Sequence, residues 1–85
     1  MPNPWDETFE NLIRKALRTH PANAEINESL DLFSAGLDSM AQIELMLAVE
    51  EHYDIIIPDE MLVKETFSTP AQLWKVTKSA PRNTS

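Results

Sequence analysis

The 85-residue sequence contains no cysteine. That excludes a disulfide framework and any thiolate metal site, and it suits a reducing compartment such as the cytoplasm. It contains one glycine, Gly36, so no Gly-rich phosphate loop exists, and there is no Walker lysine. Only two histidines, His20 and His52, could serve as a base. The opening MPNPWDETFE has neither a basic start nor an apolar run, so it does not read as a signal peptide. No apolar stretch approaches the roughly 20 residues of a membrane span. Between positions 19 and 63 there is no Lys or Arg at all. That gap argues against nucleic acid and against anionic membrane surfaces, both of which need basic patches.

The same stretch is rich in acids: Glu25, Glu28, Asp31, Asp38, Glu44, Glu50, Glu51, Asp54, Asp59 and Glu60. The bases lie towards the ends, in Arg14, Lys15 and Arg18 and in Lys64, Lys75, Lys78 and Arg82. The net charge of −7 favours basic protein partners, steered by the summed field; a merely solubilising acidic face is the plainer alternative. Hydrophobic content of 42% suffices for one small core, so the chain reads as a single domain over 1–85. Its core is expected at about 6–78, with a frayed tail over 79–85.

Periodicity predicts an all-α fold. Asn3 as cap, Pro4 at the first helical position and Asp6 in the first turn start a first helix. Phe9, Leu12, Ile13, Ala16 and Leu17 form its apolar stripe, and Pro21 marks its end. Residues 19–37 form a long connection, pinned by Ile26, Leu30, Leu32, Phe33 and Leu37, with one helical turn inside it. The second helix starts at Asp38 or Ser39 and runs to His52. Gly36 allows a tight turn before it, and Asp38 is the natural cap. Ile55, Ile56 and Ile57 read as a packed loop before Pro58, and Asp59 to Lys64 as a short helix. Thr69-Pro-Ala-Gln72 starts the last helix, which carries Leu73, Trp74, Val76 and Thr77. The expected architecture is a small bundle of three main helices and one short one.

The second helix has two apolar sides. Leu45, Met46, Val49 and Tyr53 fall on one. Met40, Glu44, Leu47 and Glu51 fall opposite, flanked by Ile43 and Glu50. Scattered exposed apolar residues would explain the second side, as would a loop folded over it. Its clustering beside Ser39 favours a partner-binding surface, apolar for contact and acidic for orientation.

Ser39 lacks the means to be a nucleophile. His52 lies 13 residues along the same helix, about 20 Å away, nothing brings His20 near, and G-x-S-x-G is absent. The acids do not follow EF-hand spacing, so no metal site is expected. Two readings of Ser39 remain from local chemistry: an ordinary serine at a helix start, or one modified by another enzyme. A phosphate ester there would meet free N–H groups at the helix N-terminus, although the charge on Asp38 opposes it.

The stretch "DLFSAGLDSM" resembles the attachment motif of acyl and peptidyl carrier proteins. "LFSAGLDSMAQIELMLAVEEHYDIIIPDEML" and "TFSTPAQLW" continue the resemblance, which covers residues 6 to 78. It implies a four-helix bundle carrying 4′-phosphopantetheine on Ser39, flanked by Asp38. A separate phosphopantetheinyl transferase would install the arm from coenzyme A, and the arm's thiol would hold cargo as a thioester on a carrier that is itself non-catalytic. Met40, Ile43, Glu44, Leu47, Glu50 and Glu51 match the family's recognition helix, and Met61 and Leu62 lie where partners make further contact. The implied partners are the transferase, a loading enzyme (an adenylation enzyme or acyltransferase) and a downstream acyltransferase or synthase, all met by a monomer.

Leu37 stands where modular peptide-synthetase carriers have a second glycine, which is closer to fatty-acid, polyketide and free-standing aminoacyl carriers. Ala41 and Gln42 stand where fatty-acid carriers often have an acid. The initial Met and short tail point to a free-standing carrier, and the resemblance leans to a polyketide or nonribosomal natural-product pathway with an amino-acid-derived starter unit. A fatty-acid or D-alanyl carrier is the alternative, and an unmodified acidic helical adaptor is the rival of another class.

Overall fold

Asp6 starts the first helix. A computed structural model describes residues 4–17 and 25–82. In it α1 spans Glu7–Ala16, and the Asp6 carboxylate accepts the Phe9 N–H at 2.8 Å. This corrects the expected cap at Asn3, which lies outside the described residues, and places Pro4 ahead of the helix. Asp6 prevails because its carboxylate serves two donors: the Tyr53 hydroxyl also donates to it, at 2.7 Å. Trp5 is buried before the cap and stacks near Phe9, while its indole N–H donates to Glu10. The chain is therefore anchored at the entrance to α1. Phe9, Ile13 and Leu17 then fall inward at helical spacing. Arg18, His20 and Pro21 lie outside the described residues.

The described part of the long connection, residues 25–37, is held by hydrogen bonds. The Asp31 side chain accepts from Phe33 and Ser34, and the Ala35 N–H bonds the Asp31 carbonyl at 3.0 Å. After a turn that Leu30 N–H closes onto the Asn27 carbonyl, the expected helical turn is thus a hydrogen-bonded one over residues 31–36. Gly36 ends it at φ 112°, a region costly for other residues, and Leu37 N–H returns to the Leu32 carbonyl. Ile26, Leu32 and Leu37 are buried; Leu30 and Phe33 pack at the core edge. Leu32 N–H also donates to the Ser68 carbonyl, tying this segment to the far end of the chain.

The second helix, α2, spans Ser39–Tyr53, and its buried stripe is Ala41, Leu45 and Val49, with Met46 and Tyr53 packed at the core edge. Asp54 closes it in the left-handed region at φ 55°, and Ile55 N–H reaches back to the Glu50 carbonyl. The short helix expected over 59–64 is instead two 3₁₀ turns, Asp59–Met61 and Lys64–Phe67. Pro58 and the short span favour the tighter helix. The last helix, α3, runs Pro70–Ser79, with the Thr69 hydroxyl accepting the Gln72 N–H and Pro70 in the first turn. Leu73, Val76 and Thr77 are buried beneath it.

Residues 79–82, read from sequence as tail, are tied down. Pro81 carbonyl accepts the Ile56 N–H at 2.9 Å, and Ile55 and Arg82 form an antiparallel bridge. The three helices and two 3₁₀ turns make the described residues all-α apart from this one bridge. One core joins the three helices and the second 3₁₀ turn, with Phe9, Tyr53 and Trp74 meeting edge to face across α1, α2 and α3. Each such pair is worth about 0.5–1.5 kcal/mol beyond area burial.

The hydrogen bond from Tyr53, aided by the Phe9 N–H, holds the Asp6 carboxyl below its ordinary 3.8 against burial, which opposes it more strongly than Phe9 assists. Burial, then Asp6 itself, raises the Tyr53 hydroxyl far above its ordinary range. A lowered carboxyl stabilises the fold above about pH 4 and loses that contribution as pH falls through its folded value. A raised phenol stabilises below about pH 10 and loses it as pH rises. Asp6→Ala is expected to cost about 1–2 kcal/mol in urea unfolding followed by tryptophan fluorescence. Asp6→Asn, which keeps a cap, is expected to flatten the acid limb of stability against pH; an unchanged limb would remove the Asp6–Tyr53 pair from the account.

Candidate functional site

Three exposed residues sit between two buried ones at the start of α2. Leu37 is buried ahead of the helix and Ala41 is buried in its first turn. Asp38, Ser39 and Met40 between them face solvent. The Asp38 carboxylate accepts the Ala41 N–H at 2.8 Å, so the cap itself binds a core residue. Gly36 supplies the turn that lets Leu37 go inward and the next residue outward. Ser39 is the first residue of the helix, and among the described residues its hydroxyl makes no hydrogen bond.

That geometry fits an ester-linked group. The oxygen is exposed, no partner competes for it, and its backbone belongs to a capped helix start, which holds it in place. Asp38 is adjacent and negatively charged, suited to an incoming enzyme or cation but not to the ester itself. His52 is at the opposite end of the helix, about 20 Å away, in edge contact with Tyr53. His20 lies outside the described residues. Among the described residues no group of three or more His, Asp or Glu side chains could hold a metal ion, and no helix is long and apolar enough to cross a membrane.

The outer face of α2 is apolar. Met40 is 67% exposed, Ile43 56% and Leu47 53%. Glu44 and Glu51 are exposed on the same helix. The acids nonetheless diverge. Glu44 borders a shallow cleft against α1 with Leu12 and Lys15, whereas Glu51 borders another with Leu47 and Ile56. Glu50 is half-buried, and its carboxylate accepts the Ile57 N–H at 2.8 Å. It is engaged in holding the linker after the helix. Met61 and Leu62 are exposed on and just after the first 3₁₀ turn, a separate element from α2.

Two exposed residues escaped sequence reasoning. Val63 sits between the 3₁₀ turns, where no periodicity flags it. Ile56 is exposed between buried Ile55 and Ile57. The signal for Ile56 was its place in a three-isoleucine run, since an extended run of three must put its middle residue on the opposite side.

With this geometry in place, comparison with known proteins is informative. Residues 7–75 match the family described as "Phosphopantetheine attachment site". An aminoacyl carrier protein of Agrobacterium fabrum is 43% identical over 44 residues, 52% of this chain and 53% of that protein. Aminoacyl carrier protein 2 of Bradyrhizobium diazoefficiens is 33% identical over 57 residues, 67% of this chain and 64% of its own. A D-alanyl carrier protein of Bacillus licheniformis is 38% identical over 50 residues, 58% and 64% of the two chains. The matched part therefore spans between about half and two thirds of these relatives. The chain belongs to the phosphopantetheine-attachment family of carrier proteins, whose prosthetic group is covalently bound 4′-phosphopantetheine.

Glu50→Ala is expected to lower stability by about 1–2 kcal/mol, because the Ile57 N–H loses a charged acceptor. Amide exchange at Ile57 should rise about tenfold while that at Ala41 stays as it was; equal protection at Ile57 in both proteins would count against the tether.

Proposed function

We propose that the chain is a non-catalytic carrier that holds an amino-acid-derived acyl group on a 4′-phosphopantetheine arm at Ser39 and presents it to partner enzymes. The observation that carries this reading is the Ser39 hydroxyl: exposed, unbonded among the described residues, and fixed at the capped first position of α2. The arm, when attached, supplies a thiol that holds cargo as a thioester. The protein's own part is to keep the serine outward through buried Leu37 and Ala41, and to surround it with a contact surface. The names of the relatives, aminoacyl and D-alanyl carriers, favour an amino acid as cargo and a free-standing carrier as the form. Natural-product biosynthesis from an amino-acid starter is the setting that best suits the departures at Leu37, Ala41 and Gln42.

The partners of this reading are a phosphopantetheinyl transferase in the cytoplasm, an adenylation-type loading enzyme and a downstream acyl-accepting enzyme. Met40, Ile43 and Leu47 offer apolar contact, and Glu44 and Glu51 offer charge for orientation and on-rate. Met61 and Leu62 add contact from the first 3₁₀ turn. Glu50 contributes at one remove, by holding Ile57.

Incubation with coenzyme A, magnesium and a broad-specificity transferase should add one phosphopantetheinyl group, read by intact mass, and Ser39→Ala should add none. A gain that survives Ser39→Ala sinks the assignment to Ser39, and no gain on the wild-type chain sinks the proposal in favour of an unmodified adaptor. Glu51→Arg should slow transfer about tenfold at low ionic strength with circular dichroism unchanged, the deficit shrinking as salt is added.

A further inference from the structure

Charge is unevenly placed along the chain. Residues 66–85 hold three bases, Lys75, Lys78 and Arg82, and no acid, in a chain of net charge −7. Two of the three meet in space. An open cleft of about 210 Å³ at the C-terminal ends of α2 and α3 is lined by Tyr53, Ile55, Trp74, Lys78, Ala80 and Arg82, with Asp6 also on it. Lys78 and Arg82 are exposed, and among the described residues neither is in an ion pair. Lys75 borders a different cleft, with Glu65.

The backbone that carries these side chains is held. Ala80 N–H donates to the Val76 carbonyl at 2.9 Å, the Pro81 carbonyl accepts the Ile56 N–H, and Arg82 is bridged to Ile55. Trp74 is half-buried, with its ring 4.8 Å from that of Phe9 and 6.1 Å from that of Tyr53. The Lys78 ammonium lies 5.5 Å from the centre of the indole. Asp6, the acid of the cleft, accepts both the Tyr53 hydroxyl and the Phe9 N–H on Oδ1. The cleft therefore offers two unpaired cations beside an aromatic ring and the apolar Ile55 and Ala80.

Its place differs from that of the outer face of α2. Tyr53 shares the inward side of the helix with Leu45 and Val49, away from Met40 and Leu47. Ser39 and Tyr53 are the two ends of α2, about 21 Å apart. A protein seated in the cleft leaves the serine and the outer face uncovered.

We infer that this cleft docks an acidic segment of a second protein, with carboxylates on Lys78 and Arg82 and one apolar side chain against Trp74 and Ile55. Charge complementarity sets the occupant: the acidic middle of the chain draws cationic surfaces, and this end draws anionic ones. The two ends can thus hold different proteins at the same time. A compact small anion suits the cleft less well, because Asp6 repels it, whereas a segment can set its carboxylates apart from Asp6. Nucleic acid would meet two cations on a chain of net charge −7. A second copy could bring its acidic middle here, but whole chains of −7 repel, and such a head-to-tail contact does not close on itself. The inference stands on the cleft alone and does not require an arm on Ser39.

The test titrates the full chain, ¹⁵N-labelled, with a short peptide in which Leu is flanked by Glu, and with a control that has Lys at each Glu. The Glu peptide should shift the Trp74 indole N–H and the amides of residues 77–82 saturably, with Met40, Ile43 and Leu47 unmoved. The Lys peptide should leave residues 77–82 unmoved. Lys78→Glu and Arg82→Glu should each weaken the Glu peptide about tenfold, and Lys75→Glu less than about threefold. Lys78→Gln and Arg82→Gln, which remove charge without reversing it, should each weaken it about threefold. Shifts confined to Met40, Ile43 and Leu47, or equal affinity for wild type and the Lys78 and Arg82 variants, overturn the inference. A loss from Lys75→Glu as large as that from Lys78→Glu also overturns it, since general attraction then explains the binding. So does concentration-dependent self-association in sedimentation that Lys78→Glu abolishes, which gives the cleft to a second copy. Coenzyme A labelling of Ser39 should run at the same rate with the Glu peptide saturating; slowed labelling overturns the simultaneous use of the two ends.

Discussion

What α2 shows to the outside depends on what its ends hold inside. Leu37 and Ala41 are buried within four positions of each other, and the three residues between them have nowhere to go but outward. Gly36 provides the backbone conformation that this reversal needs, and the Asp38 cap closes it onto the Ala41 N–H. At the other end Glu50 uses its main chain and its side chain at once, accepting Ile55 N–H at the carbonyl and Ile57 N–H at the carboxylate. The outer face of the helix is framed between these two fixed points.

Such framing suits a protein that is handled by others. Among the described residues the one histidine, His52, lies at the far end of α2 from Ser39, so on the proposed reading reactivity at Ser39 comes from whatever docks. The carrier contributes a serine held in place, an apolar strip of Met40, Ile43 and Leu47, and acids that attract cationic surfaces. The remote aromatic cluster of Phe9, Tyr53 and Trp74 and the Asp6–Tyr53 hydrogen bond join α1 and α3 to the C-terminal end of α2. These contacts stabilise the scaffold without crowding the serine end.

Much of this was legible from residue order. The caps at Asp38 and Thr69 are local chemistry, since a side-chain oxygen reaches an N–H three residues on wherever a helix follows. The two faces of α2 follow from 100° spacing, because Leu45 and Val49 must share a side that Met40 and Leu47 cannot. Less legible was the start of α1. Asn3, Pro4 and Asp6 all suit a helix entrance, and the choice fell to Asp6 through a bond from Tyr53, 47 positions away. The length of helix after Pro58 was also ambiguous, because six residues suit a 3₁₀ turn as well as an α-turn.

The sequence by itself determined the all-α pattern, the single glycine turn, the serine at a capped helix start and the resemblance to a carrier family. Those features need only neighbours within a few residues. The tertiary structure alone decided that Glu50 would be a tether, that residues 79–82 would be held against Ile55 and Ile56, and that Ile56 would be displayed beside Leu47. Each of these depends on which segments meet in space. Long-range hydrogen bonds to the linker fix that meeting, and the composition of the three-isoleucine run does not encode it.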